Sequence, residues 1–173
     1  MPPSTGFSLL TNRTSIGLWD FSARPGSASR YRELVPFGTL AGRVGAVSRG
    51  EALPAAVAAL RPAGSTPLYD TLYAAFHEMQ RHWQPGSSNA VLLITDGVNE
   101  LNGGLSLAGL LERLRAEQRP DQPVQIVTIA LGTDADAGAL QQVAQATGGR
   151  TYVIRDVATA IQTLILAFTG RLQ

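Results

Sequence analysis

The stretch Val91-Leu92-Leu93-Ile94-Thr95-Asp96-Gly97 decides the fold class of this chain of 173 residues. Its first five residues, 91–95, form a short uncharged run, which is typical of a strand that is covered on both faces, as in mainly parallel sheets. The aspartate and the glycine come directly after it. We therefore predict a buried strand over residues 91–95, with the carboxylate of Asp96 where the strand ends.

A second stretch, Gly64-Ser65-Thr66-Pro67-Leu68-Tyr69-Asp70, opens the clearest helix, in which apolar residues recur at helical spacing as far as Trp83. Open α/β sheets bind ligands at the carboxyl ends of their parallel strands. The hydroxyl of Thr66 and the carboxylate of Asp96 are hard oxygen ligands, which Mg²⁺ prefers. The two stretches together indicate a metal-dependent binding module rather than an enzyme.

The rest of the chain alternates strands with helices, which predicts one α/β domain with a mainly parallel, doubly wound sheet in three layers. Pro36 indicates that its strand lies at a sheet edge, and Pro54 is tolerable in the first turn of its helix. Gly148 and Gly149 end another helix. The predicted strands cover residues 16–21, 31–37, 91–95, 124–131 and 150–154, and the predicted helices cover 52–60, 68–83, 107–114, 140–147 and 157–168.

Composition excludes several classes of function. Apolar residues make up 45% of the chain and charged residues 16%, which is typical of a globular domain. The net charge of +1 gives no attraction to nucleic acid. The chain has no cysteine, which excludes disulfides and thiolate chemistry. We also expect no membrane span and no secretory signal, because no apolar run is long enough and the first residues lack the signal pattern.

The order of elements resembles a von Willebrand factor type A domain. The resemblance rests on Gly-x-Thr-x-Leu-Tyr-Asp before the long helix, on Thr-Asp-Gly after the apolar strand, and on phrases such as Ala146-Thr147-Gly148-Gly149-Arg150. These sequence stretches are similar to those of a bacterial branch of the family that is often seen in actinobacterial extracytoplasmic proteins. In those proteins the module commonly follows a solute-binding-like domain. The resemblance implies one antiparallel edge strand and a protein partner.

The resemblance also implies a metal-ion-dependent adhesion site. Thr66 matches the threonine of that site and Asp96 its aspartate, with Mg²⁺ (or Mn²⁺ or Ca²⁺) bridging to a carboxylate of the partner. The Asp-x-Ser-x-Ser motif of the family is missing from this sequence. We therefore expect the first central strand to be missing, with the chain beginning inside the first helix near residues 7–10. Asp20-Phe21-Ser22-Ala23-Arg24 is a weaker alternative to that motif.

Structural alternatives accompany each of these residues. Thr66 followed by Pro67 is also typical of a helix N-cap, and Asp96-Gly97 is also typical of a turn. Asp70 in the first helical turn favours the helix dipole. Thr95 and Asn99 either finish the strand and turn or bind ligand. A metal-free interaction or structural remnant of the family therefore remains an open alternative.

The other polar clusters predict no site. His77 and His82 are five residues apart on one helix, a spacing that does not align two ligands. The acidic run from Asp134 to Asp136 is better explained by helix capping than by a calcium loop. An α/β enzyme acting on phosphates is a third hypothesis, but the sequence has no Walker loop and no nucleotide-binding glycine pattern.

Overall fold

The computed structural model describes residues 10–22, 30–61, 64–100 and 103–154. These residues fall into two compact units, which meet in sequence between Gly64 and Ser65. The first unit holds the described residues up to 64, and the second holds those from 65 to 154. The assignment of the whole chain to one domain stays a prediction.

The first unit is built on an antiparallel pair of strands, β1 (Ser15–Phe21) and β2 (Tyr31–Thr39). Both predicted strands are confirmed, with slightly longer bounds. The guanidinium of Arg32 in β2 forms an ion pair with the carboxylate of Asp20 in β1, which faces it in the pairing register. Asp20 is thus an ordinary cross-strand partner, and this favours the interpretation of Asp20 as a strand residue over the alternative metal motif.

A short hairpin and one helix complete the described part of the first unit. The hairpin joins β3 (Arg43–Val44) to β4 (Val47–Ser48), and helix α1 (Arg49–Ala58) follows at once. Ser48 and Glu51 form a reciprocal capping box, so α1 begins three residues before its predicted start. The prediction that Pro54 lies in the first turn is therefore wrong, because Pro54 lies inside the helix. The core of this unit consists of Val35, Leu40 and Leu53.

The second unit contains a parallel sheet of three strands in sequence order, β5 (Ala90–Thr95), β6 (Gln125–Leu131) and β7 (Thr151–Ile154). Helices alternate with these strands, as predicted. Helix α2 (Leu68–Arg81) precedes β5, α3 (Leu107–Glu117) connects β5 to β6, and α4 (Ala137–Ala146) connects β6 to β7. Helix α4 begins before its predicted start because the carboxylate of Asp136 accepts a hydrogen bond from the backbone N–H of Ala139 at 2.9 Å.

The core of the second unit forms where the apolar faces of its helices meet the sheet. Helix α2 packs on β5, and α4 packs on β6 and β7. Helical spacing of apolar residues predicts this burial, since it places them on one face of each helix. The largest fully buried side chains of this unit are those of Phe76, Leu68, Leu72, Leu110, Leu114, Ile126, Ile129, Val124, Val143 and Thr128.

Strand β5 is less buried than its sequence predicts. Ile94 is 40% exposed, and Leu92 is only partly buried. Within the described residues β5 has a single hydrogen-bonded neighbour, β6, whereas β6 lies between two strands. The expectation that β5 is covered on both faces is therefore wrong for Ile94.

These units confirm the α/β class, with a parallel sheet, alternating helices and an antiparallel strand pair. The absence of a first central strand stays a prediction. The predicted helix over residues 157–168 lies outside the described residues. None of the described helices combines the length and the apolar character that a membrane span requires.

Candidate functional site

The loop that carries Thr66 is fixed to the loop that follows β5. The backbone N–H of Glu100 donates to the carbonyl oxygen of Thr66 at 3.0 Å. A Cβ placed on Gly97 would lie 3.9 Å from the Thr66 hydroxyl oxygen. The structure therefore brings Thr66 and the segment that begins with Asp96 together at the carboxyl end of β5, where the sequence places both side chains.

The hydroxyl of Thr66 does not cap helix α2. The helix begins at Leu68 with Pro67 in the N-cap position, and that residue provides no side-chain cap. The Thr66 hydroxyl lies instead 3.5 Å from a carboxylate oxygen of Glu100, at the long limit of a hydrogen bond. The N-cap alternative for Thr66 is therefore wrong, and its hydroxyl faces the loop after β5.

Asn99 supplies the missing cap from outside the helix. Its side-chain oxygen accepts a hydrogen bond from the backbone N–H of Tyr69, in the first turn of α2, at 3.2 Å. An N–H group in the first turn has no partner within the helix, so a side-chain acceptor stabilises the helix start. Asn99 thus holds the two loops together, a role that the sequence left open between turn formation and ligand binding.

Replacing Asn99 with alanine should lower the free energy of unfolding by about 1 kcal/mol, the usual loss for a side-chain helix cap. Thr66→Val should change it by less than about 0.5 kcal/mol, since a surface substitution away from a cap has little effect. Urea titrations followed by far-UV circular dichroism measure both values. A larger loss in Thr66→Val than in Asn99→Ala would restore Thr66 as the cap.

Asp96 is exposed directly beyond β5. The turn at this point is made by its neighbour, because the Thr95 hydroxyl lies 3.3 Å from the backbone N–H of Gly97 and accepts its hydrogen bond. Thr95 is itself buried. Of the two roles that the sequence allows for Thr95, the structure therefore shows the end of the strand and turn. The Asp96 carboxylate takes no part in this turn and is available to solvent.

Glu100 is a rim residue that the sequence patterns did not indicate. Its exposed carboxylate faces Thr66, and neither Glu100 nor Asp96 forms an ion pair within the part of the chain that the structure describes. The sequence signal that could have indicated Glu100 is its place in the loop after β5, four residues beyond Asp96. The rim therefore carries the Glu100 carboxylate beside the Thr66 hydroxyl, and Asp96 lies at the end of β5.

Asp70 and Asp136 have structural roles in the second unit. The carboxylate of Asp70 accepts a hydrogen bond from the backbone N–H of Leu105 at 3.1 Å, a structural contact in addition to the helix-dipole effect that its place in the first turn predicts. Burial, and secondly the negative charge of Asp136, raise the pKa of the Tyr69 phenol. Asp136 caps α4, as expected for that acidic run.

The donor set is suited to a hard cation but is small. Hydroxyl and carboxylate oxygens are the ligands that Mg²⁺ takes, and Mg²⁺ commonly keeps several waters beside one or two carboxylates. Among the described residues no cluster of three or more histidine or acidic side chains could hold a metal ion. The oxygen atoms of Thr66, Asp96 and Glu100 are therefore of the type that a hard cation binds, but they are few.

The sequence has curated relatives of much greater length. Two uncharacterized proteins of Mycobacterium tuberculosis, from strains CDC 1551 and H37Rv, are each 32% identical to it over 171 residues. The aligned region is 95% of this chain but 23% of each relative, so the chain spans about a quarter of their length. A scan against protein-family models found no match.

Solved structures identify the fold. A von Willebrand factor type A protein from Catenulispora acidiphila matches with a TM-score of 0.69 and 19% identity, over 93% of this chain and 35% of that one. The ArnB paralog VWA2 from Sulfolobus acidocaldarius matches with a TM-score of 0.58 and 17% identity, over 94% and 38%. The conserved hypothetical protein BatB from Bacteroides thetaiotaomicron gives 0.58 and 16%, over 95% and 82%. The chain therefore has the fold of the von Willebrand factor type A domains.

Proposed function

We propose that this chain is a protein-binding module in which a divalent cation, most simply Mg²⁺, is held at the rim by Thr66 and Asp96. The observation that carries the proposal is the position of the Thr66 hydroxyl, which leaves capping to Asn99 and faces the loop after β5. The von Willebrand factor type A fold supports an interaction module rather than an enzyme.

The residues at the rim define what each would contribute. The Thr66 hydroxyl would ligate the cation directly or through water, and the Asp96 carboxylate would hold ordered waters and balance charge. Glu100 adds a second negative charge at the same place. The cation supplies a position at which a carboxylate of the partner can bind, and few protein ligands leave such positions open.

The partner in this proposal is a protein that presents an aspartate or glutamate side chain. A solute-binding-like domain preceding this one is one candidate, because that arrangement is common in the bacterial branch that the sequence resembles. Binding would then require the divalent cation and would be abolished by a chelator. A metal-free interaction module is the alternative function, and the small donor set is the observation that favours it.

Isothermal titration of the chain with Mg²⁺ and Mn²⁺ tests the metal proposal. We expect saturable binding by the wild type, weakened at least about tenfold in Thr66→Val and in Asp96→Asn, since each change removes an oxygen ligand from a small set. Glu100→Gln should weaken binding in the same direction. Far-UV circular dichroism should stay unchanged in all three variants.

Asp121→Asn is the matched control for Asp96→Asn. Asp121 precedes β6, at the amino end of the parallel strands, so its replacement should leave metal binding unchanged. An absence of heat and of any melting-temperature shift with millimolar metal in the wild type would refute metal dependence and support the metal-free module.

A further inference from the structure

A shallow depression lies where α2 meets the end of α3 in the second unit. Tyr73, His77 and Gln80 are spaced by four and three residues, so they share the face of α2 that meets α3. Glu117, the last residue of α3, lies opposite them. The depression is lined by His77, Gln80, Ala116, Glu117, Gln118 and Arg119.

Glu117 is held in place by two residues of α2. The Tyr73 hydroxyl donates to one carboxylate oxygen, Oε1, and the side-chain amide of Gln80 donates to the backbone carbonyl of Glu117 at 2.8 Å. The hydrogen bond to Glu117 raises the pKa of the Tyr73 phenol, as burial and the carboxylate charge also do, so the phenol remains a donor. The carboxylate therefore has a fixed orientation.

The second carboxylate oxygen of Glu117, Oε2, is buried and accepts no hydrogen bond from the described residues. The Nε2 atom of His77 lies only 3.2 Å from it, but the two groups are not in hydrogen-bond geometry. A hydrogen bond between them requires the N–H bond of the imidazole ring to point close to the line that joins Nε2 and Oε2. A metal ion that binds both atoms lies to one side of that line.

A second pair on α2 provides the contrast. The Nε2 atom of His82 lies 2.9 Å from a carboxylate oxygen of Glu78 and does form a hydrogen bond with it. Glu78 also pairs with Arg81 at 3.1 Å, which neutralises its charge. Of these two pairs, only His77 and Glu117 combine a fixed carboxylate with an unsatisfied, buried oxygen.

We propose that His77 Nε2 and Glu117 Oε2 are two ligands of a binding site for Zn²⁺, with water in the remaining positions. Zinc binds imidazole nitrogen and carboxylate oxygen at 2.0–2.2 Å, so tetrahedral geometry places the two ligand atoms about 3.3 Å apart. The observed separation is 3.2 Å. Imidazole ligands favour zinc and copper over magnesium, so this site differs in chemistry from the oxygen-lined rim.

Tyr73 is a positioning residue in this site, because its hydroxyl contacts Glu117 Oε1 and is not one of the two proposed ligand atoms. Hydrogen bonds to ligating groups from outside the coordination sphere commonly contribute a factor of 10 to 100 in affinity. Two arginines lie nearby: Arg113 lies 5.1 Å from the centre of the Tyr73 ring, and Arg119 lines the depression. Their positive charges limit the affinity that a single carboxylate can give.

Titration of the 173-residue chain with zinc chloride in metal-free buffer tests this site. We expect one equivalent to bind, with His77→Asn and Glu117→Gln each weakening it by far more than the roughly tenfold loss in Tyr73→Phe. The metal-free melting temperature of Tyr73→Phe separates a general loss of stability from a loss of positioning. His82→Asn and Asp96→Asn, which alter the contrasting pair and the rim, should bind zinc like the wild type.

Electron paramagnetic resonance of the Cu²⁺-loaded chain should show one coordinated imidazole nitrogen, absent in His77→Asn. The inference is overturned if the wild type binds no zinc, if zinc affinity survives in His77→Asn or in Glu117→Gln, or if His82→Asn abolishes it. These outcomes are independent of the magnesium proposal, since they concern different residues and a different metal.

Discussion

Gly149→Ala should destabilise the second unit by about 3 kcal/mol or more, because the added methyl group has no space. A Cβ at this position would overlap the backbone carbonyl of Ile126 in β6. Hydrogen bonds on both sides of the contact hold Gly149 close to Ile126. The buried hydroxyl of Thr147 accepts a hydrogen bond from the N–H of Ile126 at 2.9 Å, and the N–H of Gly149 donates to the Ala144 carbonyl at 2.9 Å.

Gly148→Ala is the control for this prediction. Gly148 has a φ of +72°, and no atom beyond its two chain neighbours lies within 4 Å of the place that an alanine methyl group would take, so alanine there should cost only about 1 to 2 kcal/mol of backbone strain. Urea-induced unfolding followed by circular dichroism compares the two variants. If Gly148→Ala proved as damaging as Gly149→Ala, close packing against Ile126 would not be the reason for the second glycine.

Phe76→Ala should lower the free energy of unfolding by about 3 to 5 kcal/mol, the range observed when a large buried aromatic side chain is removed. Phe76 is 0% exposed and lies on the face of α2 that is buried with Leu72. Because α2 begins beside Thr66, the same change should also weaken metal binding at the rim once the helix starts to open.

Val153→Ala provides the comparison for Phe76. Val153 lies in β7 and is 61% exposed, so its truncation should change stability by no more than about 0.5 kcal/mol. Thermal unfolding of the two variants at one protein concentration measures the difference. Equal losses in both would mean that Phe76 is not part of the core of the second unit.

The sequence predicts the alternation of strands and helices well because each element carries its own periodic signal. Helix α2 has apolar residues on one face, and β6 is a short apolar run, so their positions follow from pattern alone. The starts of α2 and α3 are predicted correctly, whereas those of α1 and α4 are not. Ser48 and Asp136 begin α1 and α4 before the first large apolar residue of each helix, so hydrophobic spacing places both starts too late.

The rim is predictable from the sequence in position but not in detail. Asp96 follows β5, and helix α2 runs from Thr66 back to the amino end of that strand, so sequence order puts both residues at the carboxyl end of β5. The cap from Asn99 to Tyr69 joins residues 30 positions apart, and no local pattern encodes such a contact. Glu100 is likewise not predicted, because it is singled out by its contact with Thr66, which lies 34 positions away in the sequence.

Paramagnetic broadening by Mn²⁺ in the ¹⁵N-labelled chain tests the metal proposal most directly, because it locates the cation. We expect small amounts of Mn²⁺ to broaden the amide signals of Thr66, Gly97 and Glu100 first, to leave that of Asp121 sharp, and to lose this selectivity in Asp96→Asn. Sharp rim signals at millimolar Mn²⁺, or broadening centred at other residues, would contradict a cation held by Thr66 and Asp96.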